Sequence, residues 1–418
     1  MSAGYLFSMR RPLRGSLLGS YQFLFFDSYG WLLDGFLLTR WGEPEVTRPV
    51  LRGPVFVGVT FLDFLLNAGG HVVVFVIAGS VFAMCAVLVL VARLLKGRPL
   101  ATGAIVITCL ASPVAYFRPY IVADQLASTF MIGAVACLIA YRERGRPLWL
   151  MLGGVLAIVA GLTQYYGLVP FLVVGGWWWV TRLWSRKRDR WLPAVLVAVV
   201  AVTVIASASW LAAIPHATVP PHASLFRPTL AMWGFYANIW IYTFAVLVPI
   251  VGFLAVTRPR RIISDPLVAG TWITVAVLAV ATLFYQWKDF RFTLPVSVML
   301  SLALVVTVGD GSNLGRTWVR RAVLIATPAA ALVIALIVSP SNFRKPRLVE
   351  LRVDPGRTFV AHLVKSRTVD GLGILEACGP VKVVCASWQI PDRIQDDYRR
   401  SILETWELVA TPEHSPRR

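Results

Sequence analysis

Long apolar runs alternate with short polar connections along most of this chain. Apolar residues fill 71–95, 101–116, 121–141, 147–164, 167–184, 192–214, 237–257, 267–285, 293–308 and 322–339. Runs of this length suit helices crossing about 30 Å of hydrocarbon. An earlier run, 15–26, falls short of the usual ~20 residues. Its helix draws on residues before it, or the true start lies upstream. The sequence after Arg10-Arg11-Pro12-Leu13-Arg14 suits a retained first helix better than a cleaved signal peptide. Counting this run, the pattern predicts an all-α polytopic membrane protein with about 11 transmembrane helices.

The polar connections give the orientation. Alternate ones are basic: Arg93, Lys96 and Arg98; Arg142, Arg144 and Arg146; Arg182 through Arg190; Arg258, Arg260 and Arg261; Arg316, Arg320 and Arg321. Basic connections mark the cytoplasmic side. The first loop (27–70), the turn from Arg118 to Asp124, the tip at Gln164-Tyr165-Tyr166-Gly167 and the segment 286–292 then share the outer face. The pattern divides the chain into a bundle over 1–339 and an extracytoplasmic tail over 340–418. In the tail, Val381-Lys382-Val383-Val384 reads as a strand and 392–408 as an amphipathic helix. It is expected to be a small α/β or partly ordered appendage.

Composition agrees. Hydrophobic residues make up 57% of the chain, charged residues 15%, and mean hydropathy is +0.69; soluble domains carry about a quarter charged residues. The net charge of +19 would suit nucleic acid, but the cations lie in the connections between spans, so membrane lipids are the expected partner and nucleic acid is not. Cys85, Cys109 and Cys137 fall in apolar runs and read as small core residues. Cys378 and Cys385 can pair if the tail faces an oxidising compartment.

Three outer segments carry charge beside the bundle: the first loop with Asp27 and Asp34, the turn Arg118 to Asp124, and Lys288-Asp289-Phe290-Arg291. Acids beside bases suit work on an anionic lipid head group. A carboxylate can take a proton from an attacking hydroxyl, and cations can hold a departing phosphate. Each residue also has a plainer reading. Asp27 can cap a helix, Asp124 can favour a helix dipole, and Lys288 and Arg291 can anchor helix ends. His216 and His222 read as loop residues, and Trp177-Trp178-Trp179 as part of an aromatic belt.

The first loop has a recognisable order: Asp27, Tyr29, Trp31-Leu32-Leu33-Asp34-Gly35-Phe36-Leu37-Leu38, then Arg48-Pro49 and Pro54 leading into the next span. It resembles the first outer loop of GT-C glycosyltransferases, integral membrane enzymes that use polyprenyl-phosphate sugars. Trp287-Lys288-Asp289-Phe290-Arg291-Phe292, followed by Thr293-Leu294-Pro295, is similar to the His-Lys-Glu-x-Arg-Phe segment of mannosyltransferases of this class, differing at Trp287 and Asp289. The resemblance spans the first four and the ninth and tenth runs. It implies a GT-C-like bundle with Asp27 as catalytic base and Asp124 as a second acid. Arg52, Lys288 and Arg291 would contact the donor phosphate, and Tyr29, Asp34, Arg48, Arg118 and Asp289 would complete the substrate-binding set.

The implied reaction moves a hexosyl or pentosyl unit, with inversion, from a polyprenyl-phosphate donor to a hydroxyl of a glycan, lipid or protein. It would take place on the non-cytoplasmic face, most simply of a bacterial cell membrane. A metal is not demanded, although a divalent ion bridging Asp27 and Asp124 is compatible with the chemistry. The alternative is a transporter or flippase of lipid-linked glycans. That function calls for ionisable residues in mid-membrane, and these spans carry almost none.

Overall fold

In the computed structural model the described residues are 53–66, 71–97, 99–117, 123–184, 191–212, 259–284, 293–308, 318–337, 346–354 and 357–364. They form α1 (Pro54–Leu65), α2 (His71–Leu94), α3 (Pro99–Phe117), α4 (Ala123–Arg144), α5 (Pro147–Thr163), a 3₁₀ turn (Tyr165–Leu168), α6 (Val169–Trp184) and α7 (Trp191–Ala212). After these come α8 (Pro259–Ser264), α9 (Pro266–Phe284), α10 (Thr293–Val308) and α11 (Trp318–Ile337). Two antiparallel strands, β1 (Pro346–Asp354) and β2 (Arg357–Val364), pair from Pro346 opposite Val364 to Asp354 opposite Arg357. Among the described residues three helices are long and apolar enough to cross a membrane: Phe75–Leu94, Ala123–Arg144 and Trp191–Trp210. Shorter apolar helices accompany them, including Pro147–Thr163, Pro266–Thr282 and Thr293–Val308.

The helices end where local chemistry stops them. Gly145 takes φ +67, and its N–H donates to the Tyr141 carbonyl at 2.8 Å. This left-handed residue ends α4, and Pro147, whose missing N–H costs nothing there, starts α5. The connection is therefore two residues long, and short connections make neighbouring helices antiparallel. Asp265 accepts from the Leu267 N–H at 3.0 Å at the start of α9 and also takes Arg142 Nη1. This pair ties the basic end of α4 to α9.

Two helices form the centre. All of α10 from Thr293 to Val308 is buried, packed against α2, α3, α4 and α9. α4 lies against α2, α5, α6 and α10 and is mostly buried, whereas α7 is mostly exposed and leaves Val197, Val204 and Ile205 at the surface. Exposed apolar side chains such as these on α7 are what lipid contact requires. Between apolar helices in lipid, close van der Waals packing replaces the hydrophobic effect, and small residues permit it. Gly153 and Gly154 do this on α5. A Cβ on Gly153 would come within 3.1 Å of the Ala134 carbonyl, and one on Gly154 within 3.0 Å of Val195.

α1 lies inside the segment expected to be a loop over 27–70. Its apolar residues, with Pro54 at the first position, bury Phe56 and Val57 completely. Asp63, near the C-terminal end of α1, is not a solvated loop charge. It is fully buried and accepts from the Val72 N–H at 2.9 Å, satisfying a backbone donor at the start of α2. Trp178 is likewise more than part of an interfacial belt. It is buried edge-to-face against Tyr141 at 5.8 Å, with the Arg182 guanidinium 4.5 Å from its ring. Trp177 in the same triplet is exposed.

Candidate active site

One end of the bundle gathers polar side chains inside the protein. α4 opens with Ala123-Asp124-Gln125 and adds Ser128 and Thr129 within two turns, all buried. Thr129 Oγ1 donates to the Ser80 carbonyl of α2 at 2.8 Å. The next turns of α4 are apolar to Tyr141, and the basic residues follow. At about 1.5 Å per residue, Asp124 lies about 27 Å along the helix from Arg142. Asp124 and the basic connection therefore occupy opposite ends.

Asp124 is 1% exposed. Its Oδ1 accepts from Tyr166 Oη at 2.8 Å, across 42 residues of sequence. The bond brings the C-terminal end of α5 to the N-terminal end of α4. A helix dipole alone does not account for an acid so placed. A favourable terminus contributes about 0.3–1 kcal/mol to a surface carboxylate. Removing that carboxylate from water costs on the order of several kcal/mol. A capping acid would do better exposed, so burial here needs compensation, and the phenol hydroxyl supplies part of it.

The turn that carries Tyr166 is tightly held. Gln164 is extended (φ −150, ψ 130), its N–H donates to Ala160 at 2.9 Å, and the Gly167 N–H donates to Gln164 at 2.8 Å. A Cβ on Gly167 would fall 2.5 Å from the Ala160 carbonyl oxygen, so only glycine fits. Of the two adjacent tyrosines, Tyr165 is 37% exposed, and the burial of the rest of its ring raises its phenol pKa. Tyr166 is half-buried and packs on the core. Gly53 also reaches this end, since a Cβ there would overlap the Leu162 and Thr163 carbonyls. Gly53 follows Arg52 directly in sequence and precedes α1. Thr293, fully buried, opens α10 directly after the segment 287–292.

Of the residues singled out from sequence, Asp124 is described. Asp27, Tyr29, Asp34, Arg48, Arg52, Arg118, Lys288, Asp289 and Arg291 lie outside the described residues, as do His216, His222, Cys378 and Cys385. In the sequence Tyr166 is part of a hairpin tip, with nothing there to pair it with Asp124. Its signal was a tyrosine pair beside a glycine at the outer end of a span. Among the described residues no three His, Cys, Asp or Glu side chains form a metal-binding group. An ion bridging Asp27 and Asp124 would draw on a residue outside them.

The fold of this chain is similar to that of solved membrane-protein structures. Two crystal structures of ArnT from Cupriavidus metallidurans share it. With ArnT bound to undecaprenyl phosphate the TM-score is 0.58 at 15% identity, covering 97% of this chain and 75% of ArnT. With apo ArnT it is 0.53 at 15% identity, covering 91% and 71%. At this identity the likeness is one of fold. No protein-family model matches the chain, and no curated protein matches it.

Proposed function

We propose that this chain is a membrane glycosyltransferase that moves a sugar from a polyprenyl-phosphate donor to an acceptor hydroxyl on the non-cytoplasmic face, with inversion. The observation that carries the proposal is a buried carboxylate, Asp124, at the end of a GT-C bundle away from its basic connections. The likeness of nearly the whole chain to ArnT bound to undecaprenyl phosphate supports the donor class.

In this mechanism Asp27 takes the proton of the acceptor hydroxyl as its oxygen attacks the anomeric carbon. The bond from that carbon to the phosphate oxygen breaks, and polyprenyl phosphate leaves as an anion. Arg52, Lys288 and Arg291 stabilise that charge as it develops. Asp124 is the second acid, holding the acceptor hydroxyl in line through a charge-assisted hydrogen bond. Tyr29, Asp34, Arg48, Arg118 and Asp289 form the remaining walls of the substrate site. The acceptor is a glycan, lipid or protein hydroxyl.

The test is to reconstitute the protein in liposomes with a panel of undecaprenyl-phosphate hexoses and pentoses and a membrane glycolipid extract as acceptor. Release of undecaprenyl phosphate from one donor, with the sugar recovered on acceptor, is the expected result. Movement of intact lipid-linked sugar between leaflets without release would replace the proposal with a flippase.

A further inference from the structure

We infer that Tyr166 is a positioning residue that holds Asp124 in the orientation needed for transfer; the inference rests on the role proposed for Asp124. The phenol donates to Asp124 Oδ1 at 2.8 Å, and it comes from a turn with little freedom to move. Gly167 permits no Cβ, the Gln164 N–H donates to Ala160 of α5, and the Gly167 N–H donates to Gln164. Tyrosine has only two side-chain torsions, so a fixed backbone fixes its hydroxyl closely.

The chemistry of the donor matters as much as its place. A phenol is neutral. Donating to Oδ1, it orients the carboxylate without adding charge of its own. Tyr165, the adjacent residue, is exposed, so the same turn places one tyrosine at the surface and the other on the acid. Catalytic geometry falls off steeply with misplacement, which is why an orienting partner counts.

The test uses the full-length protein in proteoliposomes, with release of undecaprenyl phosphate from a pool of undecaprenyl-phosphate-linked sugars as readout. Tyr166→Phe removes only the hydroxyl. A hydrogen bond to a charged group corresponds to roughly a 10- to 100-fold fall in kcat on its loss. The donor KM and the melting temperature should be unchanged, which a merely structural role would not give. 4-Aminophenylalanine at position 166 keeps a donor of similar reach and should restore turnover. In an Asp124→Asn background, Tyr166→Phe should cost nothing more, because its effect passes through the carboxylate.

Turnover by Tyr166→Phe equal to wild type overturns the inference. So does an undiminished cost in the Asp124→Asn background. If Asp124→Asn itself turns over normally, the roles of Asp124 and Tyr166 fail together while transfer stands. If the wild-type protein releases nothing from the pool, the transferase reading fails and takes the inference with it.

Discussion

Gly167→Ala is a small change with a large expected effect. The added methyl would meet the Ala160 carbonyl oxygen at 2.5 Å and the Ala160 Cβ at 2.9 Å. Neither neighbour can swing away, because one is helix backbone and the other is fixed to it. The turn must therefore shift, and the bond from the Gly167 N–H to Gln164 lies in its path. Overpacking of this kind costs about 1–3 kcal/mol. A shift also carries Tyr166 Oη away from Asp124, and hydrogen bonds weaken steeply once length and angle depart from 2.8 Å and near-linear geometry. Unfolding titrated with sodium dodecyl sulfate should show lower stability by that amount. Transfer by the protein that remains folded should fall with it. A variant as stable as wild type, with full transfer, would refute the close contact at Gly167.

Further outcomes follow from the same account. Gly145→Val forces a β-branched residue into φ +67 and should lower stability by about 1–3 kcal/mol, read by the same titration; no change would mean that α4 need not end there. Asp27→Asn should cut transfer by roughly 10²–10⁴-fold with undecaprenyl phosphate binding kept, while Arg52→Ala should weaken both binding and transfer. Normal transfer by Asp27→Asn would move the base elsewhere. Single cysteines at Ser28, Gln286 and Ser341 should label from outside and one at Ser185 should not; labelling of position 286 only from the cytoplasm would break the shared-face arrangement. Cys378 and Cys385 should resist thiol reagents until reductant is added, and free labelling without it would exclude the pair.

Long apolar runs were legible because a span in lipid must bond its own backbone over its whole length. The run 293–308 coincides with α10 at both ends, and 147–164 matches α5 to one residue. α1 was harder to see. Its 12 residues are too few to span, and the charged positions of the first loop lead straight into it. The acid at Asp124 could be read from its place in a charged turn at the outer end of an apolar run. Its partner could not. Tyr166 meets Asp124 because α5 runs back along α4 and the turn is tight, and both are facts of packing. Asp63 shows the converse, since an acid in a charged segment turned out to be buried beneath the start of α2.

The most direct test of the central claim is transfer by Asp124→Asn beside wild type in the same proteoliposomes, with undecaprenyl phosphate binding measured in parallel. Asparagine keeps the shape and can still meet the Tyr166 hydroxyl, but it lacks the charge. If Asp124 holds the acceptor hydroxyl in the transfer site, release of undecaprenyl phosphate should fall by roughly 10- to 100-fold while binding persists. Release at the wild-type rate would contradict the claim.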